Sequence, residues 1–247
     1  MNFFLDAIAF LSDPANLVGA KGVLPRLGDH LFYSGLSLGV AALIGLPLGL
    51  FVGHTGRGRS LVIALSGAAR ALPTFGLLFF FILLAGIGLW PVVFVLVILA
   101  VPPIVAGSYA GLESVSRQTI DASRAIGMTE WQVLLRVEVP LALPLSLGGI
   151  RSAALQVIAT ATLAAYVGLA GLGRFLVEGL AVRDYTLAIV GALLVAGLAL
   201  LTDGVLAVFQ ILVTPRGVSR GVNGRNTHQD GPPVRRLDTS LTPIHGR

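Results

Sequence analysis

Three charged residues inside long apolar stretches are the first candidates for chemistry in this sequence. Arg70, Arg151 and Asp203 each stand alone in a run of mainly apolar residues. A charged side chain at membrane depth is costly unless it is paired or hydrated, so such residues usually mark functional positions. Two hypotheses follow: Asp203 pairs with Arg70 or Arg151 and braces the helices, or an arginine extends to the lipid headgroups.

Pro73 and Thr74 form a second candidate position, in the same apolar stretch as Arg70. A proline inside a helix removes one backbone hydrogen bond and frees a carbonyl, and the threonine hydroxyl adjoins that carbonyl. The sequence therefore predicts a helix break at Pro73. The break either lines a pore or is purely structural, and the residues alone leave both interpretations open.

A polar segment between apolar stretches, residues 113–140, predicts two short helices. The first is expected to stop at Gly127, since glycine readily adopts the left-handed conformation that ends a helix. Thr129 followed three residues later by Gln132 is typical of a capping box, which begins a second helix. Pro140 is expected to end that helix, because proline cannot continue the hydrogen-bond pattern.

The second of these helices has an apolar face. Trp131, Leu134 and Leu135 are spaced so that they share one side of it. Apolar side chains on an otherwise polar segment are exposed unless another molecule covers them. We expect a partner protein to provide that cover.

The sequence does not indicate catalysis by this chain. Its only lysine, Lys21, is followed by Gly22, whereas a phosphate-binding loop needs a lysine followed by serine or threonine. There is no cysteine, and the four histidines lack the spacing of a zinc site. We therefore predict that the chain is not an enzyme and holds no metal or cofactor. Any nucleotide hydrolysis must belong to another subunit.

The composition indicates a membrane protein. Hydrophobic residues make up 55% of the chain and charged residues 12%, against about 25% charged residues in a typical soluble protein. A soluble fold cannot bury so much apolar surface, so the bilayer must act as the solvent. The prediction is an all-α polytopic protein with five spans of about 20 residues or more: 31–53, 61–88, 91–112, 141–172 and 185–213.

Arginine placement orients these spans. The 54–60 connection, the 113–140 segment and the tail after residue 214 are rich in arginine, which favours the cytoplasmic side. The N-terminus is then outside and the C-terminus cytoplasmic. We predict an interfacial segment at 1–28, a transmembrane domain at 29–214 and a disordered basic tail at 215–247. Nucleic acid is not an expected partner, because no aromatic residues alternate with the tail arginines.

The 113–140 segment resembles the signature of importer permeases of the ATP-binding-cassette (ABC) class. That signature is Glu-Ala-Ala, three residues, Gly, nine residues, then Ile-x-Leu-Pro. This chain has, with the same spacing, Asp121-Ala122-Ser123, Gly127 and Val137-Glu138-Val139-Pro140. The departures from the signature are conservative in size or charge.

The resemblance implies a fold, a location and partners. The fold would be the five-helix permease core of type I ABC importers (MetI-like), as a multi-pass protein of the bacterial inner or plasma membrane. The partners would be an ABC ATPase subunit that binds the ATP, an extracytoplasmic substrate-binding protein, and a second permease copy or a paralogue. The bilayer would surround the spans.

The resemblance also implies roles for particular residues. The helix from Asp121 to Gly127 would couple the permease to the ATPase, with Asp121 as a carboxylate at the start of a helix. The expected coupling residues are Asp121, Ala122, Ser123, Gly127, Thr129, Trp131, Val139 and Pro140. The candidates for the translocation path are Arg70, Pro73, Thr74, Arg151 and Asp203.

Three further stretches resemble the osmoprotectant branch of these permeases: residues 70–74, 127–131 and the glycine-rich 168–173. That branch imports glycine betaine, choline, carnitine or proline betaine. An alternative is an ABC permease for another small solute, such as methionine, nitrate, taurine or phosphonate. A stand-alone channel or secondary carrier is a third hypothesis, which the signature spacing and the apolar face at Trp131 disfavour.

Overall fold

Helices account for most of the described chain. The computed structural model describes residues 2–214, except for the side chains of Ile63, Ala69 and Arg70. The predicted tail, 215–247, lies outside this range. The helices are α1 (Phe3–Ser12), α2 (Pro14–Leu17), α3 (Val23–Thr55), α4 (Arg59–Ala71), α5 (Thr74–Ala85), α6 (Leu89–Glu113), α7 (Arg117–Ala125), α8 (Glu130–Val133), α9 (Val139–Ala161), α10 (Gly173–Val182) and α11 (Tyr185–Val213).

Four helical stretches in the described range are long and apolar enough to cross a membrane by themselves: α3, α6, the continuous stretch that contains α8 and α9, and α11. The second predicted span is instead divided between α4 and α5. Leu72 and Pro73 have extended backbone conformations between these helices. The predicted break at Pro73 is thus confirmed, because a residue before proline disfavours the helical conformation and proline lacks the donor that would continue the helix.

Helix α3 begins eight residues earlier than the predicted span, at Val23. The predicted span covers only the charge-free run that begins at Leu31, after Asp29. In the structure Arg26 is buried, and its guanidinium donates to the Glu178 carboxylate at 2.9 Å. A paired charge is much less costly to bury than an isolated one, so the helix continues through this position.

The core forms where α6 packs against both α3 and α9. Small residues allow the helix backbones to come close. A Cβ at Gly49 would lie 2.6 Å from the Cβ of Ser108, and a Cβ at Gly107 would lie 2.6 Å from the Cα of Gly149. Any larger side chain at Gly49 or Gly107 would therefore force these helices apart. The buried apolar residues of α6 are Val92, Val93, Val95, Leu96, Val97, Leu99, Ala100, Ile104, Val105 and Leu112.

The prediction that Pro140 ends a helix is wrong. A π-helical turn, Leu134–Glu138, joins α8 to α9, and the N–H of Val139 donates to the Leu134 carbonyl five residues earlier. A π-helical turn shifts the hydrogen-bond register. Pro140 lies in the first turn of α9, directly after this shift in register, so the helical stretch continues past the proline.

Helix α11 lies at the edge of the bundle, beside α9, α10 and α1. Its buried residues are confined to its first third, at Ala188, Val190 and Gly191, as expected for a helix facing lipid or another subunit. The Gln210 side-chain amide links it to α9 by donating to the Pro144 carbonyl at 2.8 Å. The glycine-rich stretch between α9 and α10 forms a turn, in which Gly168 and Gly171 have positive φ angles.

Candidate functional site

The first half of the 113–140 segment is a helix with defined ends. Ser116 caps α7 by accepting a hydrogen bond from the Thr119 N–H at 3.3 Å. At the other end, Gly127 has a φ of +87° and its N–H donates to the Arg124 carbonyl at 2.9 Å. The predicted helix stop at Gly127 is therefore confirmed, since few residues other than glycine adopt this conformation without strain.

The expected position of Asp121 at the start of a helix is wrong. Asp121 lies in the middle of α7, because the helix begins at Ser116 rather than beside the signature residues. Its carboxylate is exposed and lies 3.6 Å from the Arg124 guanidinium, one turn later. Asp121 therefore does not cap its own helix, and its carboxylate stays accessible beside Arg124.

Thr129 and Gln132 form the predicted capping box. The Gln132 N–H donates to the Thr129 hydroxyl at 3.4 Å, and the Thr129 N–H donates to the Gln132 side-chain carbonyl at 2.9 Å. Two backbone donors that would otherwise lack partners are thereby satisfied. The box fixes the direction in which α8 leaves the turn at Gly127.

One side of the segment packs against the bundle. Ile120 of α7 and Val133 of α8 are buried against Val115, which follows α6. The prediction that Leu134 shares an exposed face with Trp131 is wrong: Leu134 is 8% exposed. It packs between α6 and α9, against Leu112 and Ala142. The segment is therefore held to the bundle by two apolar clusters.

The opposite side of the segment presents large apolar side chains. Ile126, Trp131 and Leu135 are 80%, 72% and 59% exposed. The predicted exposure of Trp131 and Leu135 is confirmed, and Ile126, directly after α7, is exposed as well. Large exposed apolar side chains on a short, otherwise polar segment are typical of a protein-binding surface.

Charged residues that the sequence analysis did not select connect the segment to α3. The Arg124 guanidinium donates two hydrogen bonds to Glu130, at 2.9 and 3.0 Å, and this contact raises the pKa of Arg124 above its ordinary value. Glu130 lies 3.5 Å from Nε2 of His54, and Nδ1 of His54 lies 2.5 Å from the Glu138 carboxylate. In the sequence, Glu138 stands alone between Val137 and Val139, and an acid in such an apolar setting indicates a buried charge that needs a partner.

The predicted coupling residues are spread from α7 to the start of α9 and differ in exposure. Ser123 is buried, and its hydroxyl donates to the Thr119 carbonyl at 2.8 Å. Val139 and Pro140 are half-buried at the start of α9. The exposed members are Asp121, Ala122, Gly127, Thr129 and Trp131.

Among the candidates for the translocation path, the structure joins Arg151 and Asp203. The Arg151 guanidinium donates to both carboxylate oxygens of Asp203. The hypothesis of an ion pair is thus confirmed with Arg151 as the partner. The Arg70 side chain lies outside the described part of the structure. Pro73 and Thr74 mark the break between α4 and α5, away from this pair in sequence.

Comparison with known proteins agrees with this architecture. Residues 45–213 match the family described as binding-protein-dependent transport system inner membrane component. The chain is 35% identical to the glycine betaine/carnitine/choline transport system permease protein OpuCB of Bacillus subtilis, over 79% of this chain and 90% of that protein. It is also 35% identical to the osmoprotectant import permease protein OsmW of Salmonella typhimurium, over 87% of this chain and 100% of that protein.

A solved structure shares the fold. It is an inward-facing form of the MetNI methionine ABC transporter, which aligns with a TM-score of 0.70 at 22% identity and covers 78% of this chain and 96% of that one. The predicted MetI-like permease fold is thereby confirmed. The family match extends from the middle of α3 to the end of α11 and includes the whole 113–140 segment. The chain therefore belongs to the family of binding-protein-dependent transport system inner membrane components.

Proposed function

We propose that this chain forms the membrane path of an ATP-driven importer for glycine betaine, choline, carnitine or proline betaine. The observation that carries this proposal is the similarity, at 33–35% identity over most of the chain, to permeases named for glycine betaine, carnitine, choline or osmoprotectants. Three of these solutes are named in the relatives, and proline betaine follows from the resemblance alone.

As a member of its family, the chain is the permease component of an ABC importer, and ATP is hydrolysed in a separate ATPase subunit. We propose that this ATPase receives the exposed patch of Ile126, Trp131 and Leu135. The patch sits on an element fixed by Gly127 and the Thr129 capping box, so a displacement of the patch moves the segment as one body. Short rigid contacts of this kind transmit motion efficiently because packed elements do not deform continuously.

Two ion pairs show which connections lie at the same end of the bundle, and the arginine distribution is the basis for assigning each end to a side of the membrane. The two connections predicted to be cytoplasmic meet each other, since Arg59 and Glu113 form an ion pair at 2.9 Å. The two regions predicted to be outside also meet, through the Arg26–Glu178 pair. The orientation that we propose puts the end with the Arg59–Glu113 pair in the cytoplasm, because the connections at that end are rich in arginine.

The complete importer that we propose also contains a substrate-binding protein outside the membrane and a second permease, either a copy of this chain or a paralogue. Large apolar residues along α11 that this chain leaves exposed, such as Leu200, Leu201 and Val205, are available to the bilayer or to that second permease. ATP would be bound by the ATPase subunit and not by this chain.

Transport by the reconstituted complex tests the proposal. The permease, its ATPase and its binding protein are placed in liposomes, and uptake of labelled glycine betaine, choline and carnitine is measured with and without ATP. The matched control replaces the phosphate-loop lysine of the ATPase. We expect uptake that needs ATP, the intact lysine and the binding protein.

Other solutes separate the competing hypotheses. Labelled methionine, taurine and nitrate are offered to the same liposomes. Uptake of one of these, without uptake of the quaternary ammonium solutes, would replace the proposed substrate class. Solute movement through the purified permease without ATPase or ATP would instead favour a channel or a secondary carrier.

A further inference from the structure

We infer that His54 is a positioning residue that makes α3 move with the 113–140 segment during ATP-driven transport. The inference rests on the proposed coupling role of that segment. It goes beyond that role because it concerns α3, a helix that is not covalently adjacent to the segment. The relevant contact is the one between His54 and Glu138.

Chain connectivity shows what this contact adds to the packing of α3 against α6. The 113–140 segment continues directly into α6 on one side and into α9 on the other, so a displacement of the segment moves both helices. Helix α3 has no such covalent connection. Its last turn nevertheless lies beside the segment, and His54 and Glu138 are 84 residues apart in the sequence.

The geometry of His54 suits a link between two elements. A carboxylate only accepts hydrogen bonds, so Nδ1 of His54 is the donor to Glu138, at 2.5 Å. The other ring nitrogen, Nε2, faces Glu130 at 3.5 Å, and Glu130 in turn holds Arg124 of α7 by two hydrogen bonds. One imidazole thus contacts both ends of the second half of the segment.

Burial makes the His54–Glu138 pair stronger than the Arg59–Glu113 pair, which also joins the 54–60 connection to the 113–140 segment. The His54 and Glu138 side chains are 16% and 5% exposed, whereas those of Arg59 and Glu113 are 60% and 45% exposed. Exposed pairs are screened by water and contribute little, but a buried carboxylate that loses its partner is strongly disfavoured. The Arg59–Glu113 pair is therefore a matched control for the His54–Glu138 pair.

The first experiment measures solute transported per ATP hydrolysed, with the reconstituted complex and labelled choline or glycine betaine as the probe. We expect His54→Ala to lower this ratio by about tenfold, the size of effect typical of losing a hydrogen bond to a charged group. His54→Asn keeps an N–H donor near the position of Nδ1, and we expect its ratio to stay close to the wild-type value. Arg59→Ala is expected to leave the ratio unchanged.

The ratio of transport to ATP hydrolysis distinguishes a positioning role of His54 from a general loss of structure in the variant. If His54→Ala lowers transport and ATP hydrolysis equally, so that the ratio stays at the wild-type value, the inference is overturned. The inference is also overturned if His54→Asn lowers the transport-to-hydrolysis ratio as much as His54→Ala does, because the retained N–H donor would then have no effect.

The second experiment does not depend on the transported solute. The chain has no cysteine, so Thr55→Cys at the end of α3 and Arg136→Cys in the π-helical turn accept spin labels at these two exposed positions only. We expect one distance distribution between the labels, unchanged by ATP binding to the assembled complex. In the His54→Ala background, we expect ATP to shift or broaden that distribution.

The two experiments fail in distinguishable ways. A complex that moves none of the tested solutes contradicts the proposed substrate class, while the label distance still reports on His54. A label distance that responds to ATP equally with and without His54 overturns the inference, whatever the solute proves to be.

Discussion

Arg151 of α9 and Asp203 of α11 form a two-point ion pair across the helix bundle. One of its hydrogen bonds joins an Nη of Arg151 to an oxygen of Asp203 at 2.5 Å, and Nε of Arg151 donates to the other oxygen. A planar guanidinium that binds both carboxylate oxygens sets the direction as well as the distance of the contact. The pair therefore fixes how α11 is rotated against α9, in a region where most other side chains are apolar.

Exchange of the two charges tests this pair. We expect Asp203→Arg alone to lower the melting temperature of the purified permease by several degrees and to reduce its level in the membrane, because two cations then face each other. The double variant Arg151→Asp/Asp203→Arg should recover most of both quantities. Failure of the double variant to recover either of them would contradict a bracing role.

Substitution of Gly127 tests the coupling role of the 113–140 segment. An added Cβ at Gly127 meets no atom within 4 Å, so Gly127→Arg is accommodated in space although its φ of +87° is unfavourable for arginine. We expect normal insertion and abolished ATP-driven uptake, because the large side chain stands on the proposed ATPase-binding surface. The measurements are membrane level by immunoblot and uptake of labelled choline.

Gly127→Asn is the control for that variant, because asparagine tolerates the left-handed conformation better than other non-glycine residues do. We expect it to retain most of the uptake. Normal uptake by Gly127→Arg at a normal membrane level would show that this surface is not where the ATPase binds.

Removal of the Trp131 ring tests the apolar patch itself. Trp131 is 72% exposed, so Trp131→Ser should leave the melting temperature of the isolated permease almost unchanged. A buried tryptophan at the centre of a protein interface typically contributes about 2 kcal/mol or more, so we expect the ATPase to bind at least about thirtyfold more weakly. Binding of the purified ATPase to the permease in nanodiscs measures this.

The other tryptophan of the chain is a matched control for the patch. Trp90 is 61% exposed and begins α6 at the end that we place outside the cell. Trp90→Ser should leave ATPase binding unchanged. Equal weakening by both substitutions would point to a general loss of structure rather than to a binding surface at Trp131.

Cysteine labelling tests the orientation in the membrane. Because the natural chain has no cysteine, single substitutions at exposed positions report one site each. We expect Arg57→Cys and Arg136→Cys to react with an impermeant maleimide in inside-out vesicles only. Lys21→Cys and Val182→Cys should react in right-side-out vesicles only. The reverse pattern would place the 113–140 segment outside the cell and remove the basis for ATPase coupling.

The sequence by itself determined the features that depend only on residues close together along the chain. Long apolar runs with at most one charge predicted the spans, Pro73 predicted the break between α4 and α5, and Gly127 and Thr129 predicted where one helix ends and the next begins. Each of these follows from local backbone chemistry or from the need of about 20 apolar residues to cross a bilayer. The signature spacing at 121–140 likewise lies within one continuous stretch.

Only the tertiary structure decided which distant groups meet. Asp203 pairs with Arg151, one of the two arginines predicted as its partner, and Glu138 meets a histidine 84 residues earlier in the chain. The burial of Leu134 also required α6 and α9 to be in place. These contacts depend on the rotation and crossing of packed helices, and no spacing along one helix specifies the angle at which it meets another.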